Sequence, residues 1–323
     1  MQIRTIGILG GTGFVGRTLA NRLARDGYRL RVLTRRRDSH KDNLILLPDL
    51  DLVETNIHDP EQLKTALAGC DAVINLVGIL NERGRKGAGF RAVHVQLARN
   101  LMAACQANGI RRVLQMSALN ADAANGPSHY LRTKGEAEDL LHGAKDLLVT
   151  SYRPSVIFGP ADSFFNRFAN LLRFAPLLPL ACARARFAPV FVEDVAEAFA
   201  YTLRNPDYHG KRLQLCGPNI YTLEQLLRYT ASCAGLRRII VPLPDMLARI
   251  QAALLDFWPL GAFMEKPFST DNYLSAKVDS TCVCNDLELL GIRPTALEAV
   301  VPSYLSHTGS RARYYFYRSH TER

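Results

Sequence analysis

The sequence predicts an α/β fold, a parallel sheet with helices on both faces, and three observations carry that expectation. Short apolar runs alternate with helix-period patterns through the first half of the 323 residues. The first apolar run leads directly into Gly10-Gly11-Thr12-Gly13-Phe14-Val15-Gly16, with a helical pattern behind it. Beyond Pro154 the alternation breaks down among scattered prolines, which predicts a smaller, mostly helical C-terminal lobe.

Residues 6–9 (Ile-Gly-Ile-Leu) read as the first strand. Residues 14–25 read as a helix, with Val15, Leu19 and Leu23 on one face. Strands follow at 30–33 and 51–54, and a helix at 60–68 with Pro60 in its first position. Residues 71–77 form the fourth strand, 89–108 a helix ended by Gly109, and 112–116 the fifth strand. A helix over 130–141 and a strand over 147–152 complete the alternation. Residues 189–192 and 212–215 look like returns to the same sheet. The expected division is therefore 1–155 with return segments near 187–216, and a small lobe over 156–323. Within that lobe, residues 245–258 place Met246, Ile250, Ala253 and Phe257 on one stripe, which predicts core packing before a membrane or partner contact.

Gly10, Gly13 and Gly16 lie between a strand and a helix, where a dinucleotide's pyrophosphate would sit. The first permits a tight turn, the second lets phosphate approach the backbone, and the third lets helix and sheet pack closely. Thr12, Phe14 and Val15 complete the loop and the helix start, whose N–H groups and dipole favour an anion. This predicts a Rossmann-type, doubly wound sheet. Strand two ends in Thr34-Arg35-Arg36-Arg37 where an NAD-binding protein carries a carboxylate. Guanidinium groups at Arg35 and Arg36 suit a 2′-phosphate, so NADP(H) is the expected cofactor. Asn56 and Ile57 after strand three would flank adenine, and Leu76, Val77 and Gly78 after strand four would line the nucleotide.

Composition excludes several classes. Charged residues make up 22% and hydrophobic residues 48%, values of an ordinary globular chain. No apolar run is long enough to span a membrane, and the first strand starts too early for a signal or transit peptide. Seven scattered cysteines fit a reduced, cytoplasmic setting, with Cys282 and Cys284 structural rather than zinc-binding. The net charge of +10 is concentrated in residues 1–40 and 303–323. The second of these holds the basic aromatic run RARYYFYR, a solvated tail or a contact for an acidic partner or the inner face of an anionic membrane. No motif or basic helix face points to nucleic acid.

Two Tyr–Lys pairs occur at helical spacing, Tyr130/Lys134 and Tyr273/Lys277. An ammonium beside a phenol lowers the phenol's pKa and prepares a proton donor. Only the first pair follows the fifth strand of the expected sheet, so Tyr273/Lys277 reads as surface chemistry.

GGTGFVG, NLVG at 75–78, YLRTK at 130–134 and RPSVIFGP at 153–160 together resemble the extended and atypical short-chain dehydrogenase/reductases. Within them the sequence is most similar to the NADPH-binding accessory subunits of respiratory complex I, as a bacterial-type relative. The resemblance covers essentially the whole chain. It implies an NADP(H) site, with Tyr130 as acid/base and Lys134 as its partner on the nicotinamide ribose. It also implies Pro154 and Val156 beside the nicotinamide and Ser117 as the substrate-orienting hydroxyl. Two positions depart from the family pattern: Ala118 where a Ser or Thr is common, and His94 where an Asn is usual. Three functions follow as alternatives. They are an NADP(H)-dependent oxidoreductase on a carbonyl, alcohol or quinone-related substrate, a silent NADPH-binding assembly factor of a respiratory complex, and a nucleotide-sugar epimerase or dehydratase. The last would recruit Arg184, Arg186 and Arg212 to a diphosphate.

Overall fold

The computed structural model describes residues 3–37, 47, 49–82, 84, 86–256 and 268–306. The basic aromatic run at 311–318, Phe257 and Asp38 lie outside the described residues. Those described fall into two compact units, within Met1–Pro154, Glu193–Leu215 and Cys284–Ile292, and within Ser155–Val192, Cys216–Val283 and Arg293–Arg323.

The first unit holds a seven-stranded parallel sheet. Its strands are β1 (Thr5–Leu9), β2 (Arg29–Thr34), β3 (Leu50–Glu54), β4 (Ala72–Asn75), β5 (Arg112–Met116), β6 (Leu148–Pro154) and the strand Arg212–Leu215. Their spatial order is Arg212–Leu215, β6, β5, β4, β1, β2, β3. Progress reverses beside β1, whose neighbours are β2 and β4, so the carboxyl ends of β1 and β4 open a crevice at the switch point. The central strands β4 and β5 are buried throughout, the polar Asn75, Arg112 and Gln115 included, as a sheet covered on both faces requires.

Local signals set the helices. The helix Phe14–Arg25 buries Leu19, Ala20 and Leu23. At Pro60–Ala66, Asp59 caps the N–H groups of Glu61 and Gln62. The helix expected over 89–108 is not uniform. It begins at Ala88–Phe90, passes through a π-helical segment at Arg91–Gln96, and continues as Leu97–Ala107. The wider π turn carries one more residue, and His94 within it is buried. Leu97, Leu101 and Cys105 then pack with Leu9, Leu63, Val113 and Leu141 in one core cluster.

The second unit is built on the helices Phe165–Phe174, Leu223–Cys233, Asp245–Asp256 and Leu297–Leu305 with short strand pairs. Residues 189–192 do not rejoin the main sheet: Val190–Phe191 pairs with Ile157–Phe158 in a separate two-stranded sheet. Leu177–Leu180 pairs in parallel with Ile239–Pro242. The buried Asp162 carboxylate accepts from the N–H groups of Gly159 and Phe165 and, at 2.7 Å, from the Tyr304 hydroxyl. Two further expectations are corrected in this unit. Cys216 and Cys282 form a disulfide across 66 positions of sequence, which a fully reduced set of thiols does not include. On the helix Asp245–Asp256, Ala248 and Ala252 are buried, while Met246 and Ile250 of the expected core stripe are exposed.

Candidate functional site

The glycine loop follows β1 at the crevice. Gly10 has φ +77°, a left-handed conformation in which a side chain is strained. Gly16 faces the loop backbone: a Cβ there would lie 2.5 Å from both the Gly10 carbonyl oxygen and the Gly11 Cα. Gly13 is the N-cap of the helix Phe14–Arg25, and no side chain caps that end or places an acid in its first turn. Thr12, Phe14 and Val15 are half-buried around it. An uncapped helix start beside a glycine turn with no room for side chains fits a diphosphate.

Leu76, Val77 and Gly78 leave β4 on the other side of the crevice. The Asn75 carboxamide accepts from the Val77 N–H at 3.1 Å and donates to Gln115 at 2.9 Å, which ties β4 to β5.

Lys134 reaches this edge from the helix His129–His142. Its ammonium donates to the carbonyls of Met116 at 3.0 Å and Val77 at 3.4 Å. Burial pulls its pKa down to about 8, against the opposing pull of the Glu138 carboxylate. An ammonium has three donors, and two are spoken for by these carbonyls. A Cβ on Gly78 would lie 3.0 Å from Nζ, so glycine leaves the space beside the ammonium open.

Tyr130 stands one turn before Lys134 and is half-buried. Its ring meets His94 edge-on at 5.6 Å and Phe90 at 6.1 Å. His94 is buried, and desolvation together with the Lys134 charge pushes its pKa down to about 2, so the imidazole is neutral. The Ile79 N–H donates to Nε2 at 3.4 Å, which assigns the proton to Nδ1 and makes Nδ1 the donor to Thr133 Oγ1 at 2.9 Å. Thr133 donates onward to the His129 carbonyl at 2.7 Å. One turn beyond Lys134, the fully buried Glu138 accepts from Arg153 at 2.8 Å and pairs with Arg212 at 2.6 Å. Thr133 and Glu138 escaped the sequence reading. Their signal was a polar residue on the buried face of a helix, at Glu138 four positions after Lys134.

Ser117, immediately after β5, is buried, and its Oγ has no hydrogen-bond partner among the described residues. A buried hydroxyl without a partner carries a desolvation cost. Ala118 beside it is also buried. Pro154 ends β6, and its carbonyl accepts from the Leu119 N–H at 3.2 Å. Val156 lies in the second unit, its carbonyl accepting from the Val190 N–H.

At the other end of the crevice, Arg35 and Arg36 are exposed where β2 ends. Burial and the Arg35 charge together lower the His58 pKa. Asn56 is held by its side chain's bond to the His58 N–H, and Ile57 belongs to the core cluster. A separate cavity of about 940 Å³, lined by Thr5, Gly27, Tyr28 and Arg29, sits at the amino ends of the strands, the edge that does not bind ligands in such sheets.

The second Tyr–Lys pair is not surface chemistry on both members. Tyr273 is buried beside Ala248 and Ala252, its hydroxyl donates to Asp245 at 2.6 Å, and Lys277 lies 5.0 Å over its ring. Two of the three arginines considered for a sugar diphosphate are held in ion pairs. Arg186 is paired with Asp279 at 2.7 Å, and Arg212 with Glu138 and Asp139.

Residues 6–216 match the NAD dependent epimerase/dehydratase family. The mitochondrial NADH dehydrogenase [ubiquinone] 1 alpha subcomplex subunit 9 of Rattus norvegicus is 31% identical, covering 90% of this chain and 77% of that protein. A ceramide reductase of Caulobacter vibrioides is 31% identical over 78% of each chain. Among solved structures, MoeE5 in complex with UDP-glucose and NAD superposes with a TM-score of 0.70 at 19% identity, covering 98% of this chain and 99% of its own. At that identity the likeness is one of fold.

Proposed function

The chain belongs to the NAD dependent epimerase/dehydratase family, and from that premise we propose that it is an NADP(H)-dependent oxidoreductase acting on a carbonyl or alcohol, quinone-related carbonyls included. The observation that carries this reading is Lys134, a buried ammonium held by two backbone carbonyls at the carboxyl ends of β4 and β5. Burying a cation without a full ion pair is costly, and such a cost is characteristic of functional sites.

The bound cofactor would supply or accept hydride at nicotinamide C4. The loop at Gly10, Thr12, Gly13, Phe14, Val15 and Gly16 would hold the pyrophosphate, and Arg35 and Arg36 the 2′-phosphate. Asn56 and Ile57 would border adenine, with Leu76, Val77 and Gly78 along the nucleotide and Pro154 and Val156 beside the nicotinamide. Lys134 would hydrogen-bond the ribose with its remaining N–H and favour the phenolate of Tyr130, the proton donor to a substrate oxygen. Ser117 carries the unpartnered hydroxyl that a substrate oxygen would satisfy. Neutral His94, beside Tyr130 and Lys134, adds no competing positive charge.

The 31% identity with a respiratory-complex subunit favours a second reading, an NADPH-binding assembly component. The ion-paired state of Arg186 and Arg212 weighs against sugar-nucleotide chemistry.

The test has two stages. Nucleotide released from the denatured, purified protein is identified first, and retained NADPH is expected. NADPH oxidation is then followed with a panel of aldehydes, ketones and quinones, comparing the parent with Tyr130→Phe. Turnover lost in that variant supports the oxidoreductase. Strong thermal stabilisation by NADPH with no turnover on any substrate supports the assembly component.

A further inference from the structure

Within the second unit, eight large apolar side chains are exposed on adjoining elements. Phe174 is 88% exposed, Leu177 52%, Ile239 64% and Val241 38%, and on the helix Asp245–Asp256 Met246 is 70%, Leu247 45%, Ile250 50% and Leu254 68%. Leu177 and Ile239 are register partners in the two-stranded sheet, so both point to the outer face, while Leu178, Leu180 and Ile240 pack inward. Val241, two residues on, shares the outer face. The helix adjoins this face: Gln251 donates to the Pro179 carbonyl at 3.2 Å. Ala248 and Ala252 turn inward, and between the terminal acids Asp245 and Asp256 the only charged residue of the helix is the exposed Arg249. A helix whose solvent face is its apolar face inverts the usual amphipathic arrangement.

Charge selects the occupant. Residues 163–182, 225–244 and 246–255, which carry the patch, contain Arg167, Arg173, Arg237, Arg238 and Arg249 and no Asp or Glu, and their sixth arginine, Arg228, pairs with Glu224 at 2.7 Å. The helix's terminal acids are engaged, Asp245 by Tyr273 and Lys277 and Asp256 by Thr270. A second copy of the chain, meeting this face with its own, would set arginines against arginines with no carboxylate on these segments to offset them. The whole chain carries a net charge of +10.

We propose that this face docks the protein peripherally on an anionic lipid bilayer, with the helix Asp245–Asp256 lying in the headgroup region. Apolar side chains enter the acyl boundary and arginines meet lipid phosphates. Among the described residues no helix is long and apolar enough to cross a membrane, so the contact is interfacial.

The full chain is co-sedimented with vesicles of phosphatidylcholine alone and with about 30 mol% phosphatidylglycerol. Binding to the anionic vesicles is expected, falling about tenfold when salt is raised to about 0.5 M. Ile250→Glu with Leu254→Glu lowers it at least about tenfold through lost apolar burial, and Arg237→Glu with Arg249→Glu about tenfold through charge. All four residues are exposed, and circular dichroism and melting identical to the parent confirm that the variants fold. No sedimentation with anionic vesicles, or both double variants sedimenting like the parent, overturns the proposal. So does a dimer in sedimentation velocity that Ile250→Glu with Leu254→Glu dissociates while vesicle binding is absent.

Discussion

The Lys134 ammonium donates to the Met116 carbonyl across 3.0 Å, so a charged group from one helix is anchored on the last residue of β5, next to Ser117. Its burial lowers its pKa to about 8, which makes the folded protein bind this proton less readily than the unfolded chain does. Between about pH 8 and the ordinary lysine value the unfolded state therefore holds more protons, and stability rises with pH. Relative to Lys134→Met, the parent should gain on the order of 1 kcal/mol per pH unit in that window. Urea unfolding of both at stepped pH measures the difference. At neutral pH, Lys134→Met should be as stable as the parent or more so, yet lose most of the thermal shift that NADPH produces.

His94 predicts an acid limit. Its folded pKa, about 2, lies below the ordinary histidine value, so the neutral form is fully favoured above that value. As pH falls below about 6.5 the unfolded chain takes up the proton first, and stability drops by on the order of 1 kcal/mol per unit. His94→Gln should flatten the slope of melting temperature between pH 6.5 and 4.5. A slope unchanged by the substitution would count against the buried neutral imidazole.

Gly16→Ala should be the most damaging single methyl in the loop. Its Cβ would overlap the Gly10 carbonyl and Gly11 Cα at 2.5 Å, backbone atoms that cannot swing aside. A loss of about 1–3 kcal/mol is expected from overpacking, with nucleotide binding lost as well. Isothermal titration with NADPH, beside a melting curve, separates the two effects.

Arg35→Ser with Arg36→Ser should change cofactor choice rather than stability, because both side chains are exposed. The ratio of NADPH to NADH affinity should fall about tenfold or more, with NADH affinity nearly unchanged. Equal loss for both nucleotides would mean that these arginines do not meet the 2′-phosphate.

Glu138→Ala tests the support behind the site. The carboxylate is fully buried between Arg153 and Arg212, and its removal takes the ion pair from Arg153 while Arg212 keeps Asp139. About 3 kcal/mol of destabilisation is expected, measured by denaturant midpoint. Glu138→Gln, which keeps the shape, should cost less.

Much of this was legible in the chain. The expected bounds of β5 match to the residue, and most other strands to within two, because short apolar stretches alternate with helix-period patterns. Gly10 and Gly16 announced their roles because backbone conformation and contact leave glycine no substitute there. Other features were not legible. The π segment at Arg91–Gln96 left no mark, since one extra residue per turn changes no composition. The Cys216–Cys282 bond joins positions 66 apart, and spacing alone cannot pair cysteines. The helix Asp245–Asp256 was read as turning its Met246–Ile250 stripe to the core, yet the small Ala248 and Ala252 are the side that packs. Periodicity shows that a helix has two faces; it does not say which one finds a partner.

By itself the sequence determined the parallel sheet, the loop at its first turn, and the order that brings Tyr130 and Lys134 to the carboxyl edge. These rest on local rules, namely strand period, glycine backbone freedom and helical spacing of four. Only the tertiary structure decided that Lys134 is buried against Met116 and Val77, that His94 is neutral, and that, among the described residues, the Ser117 hydroxyl has no partner and an apolar helix face is left exposed. Each of these depends on which groups residues distant in sequence cover and which they leave in solvent, and that is set only once the chain has packed.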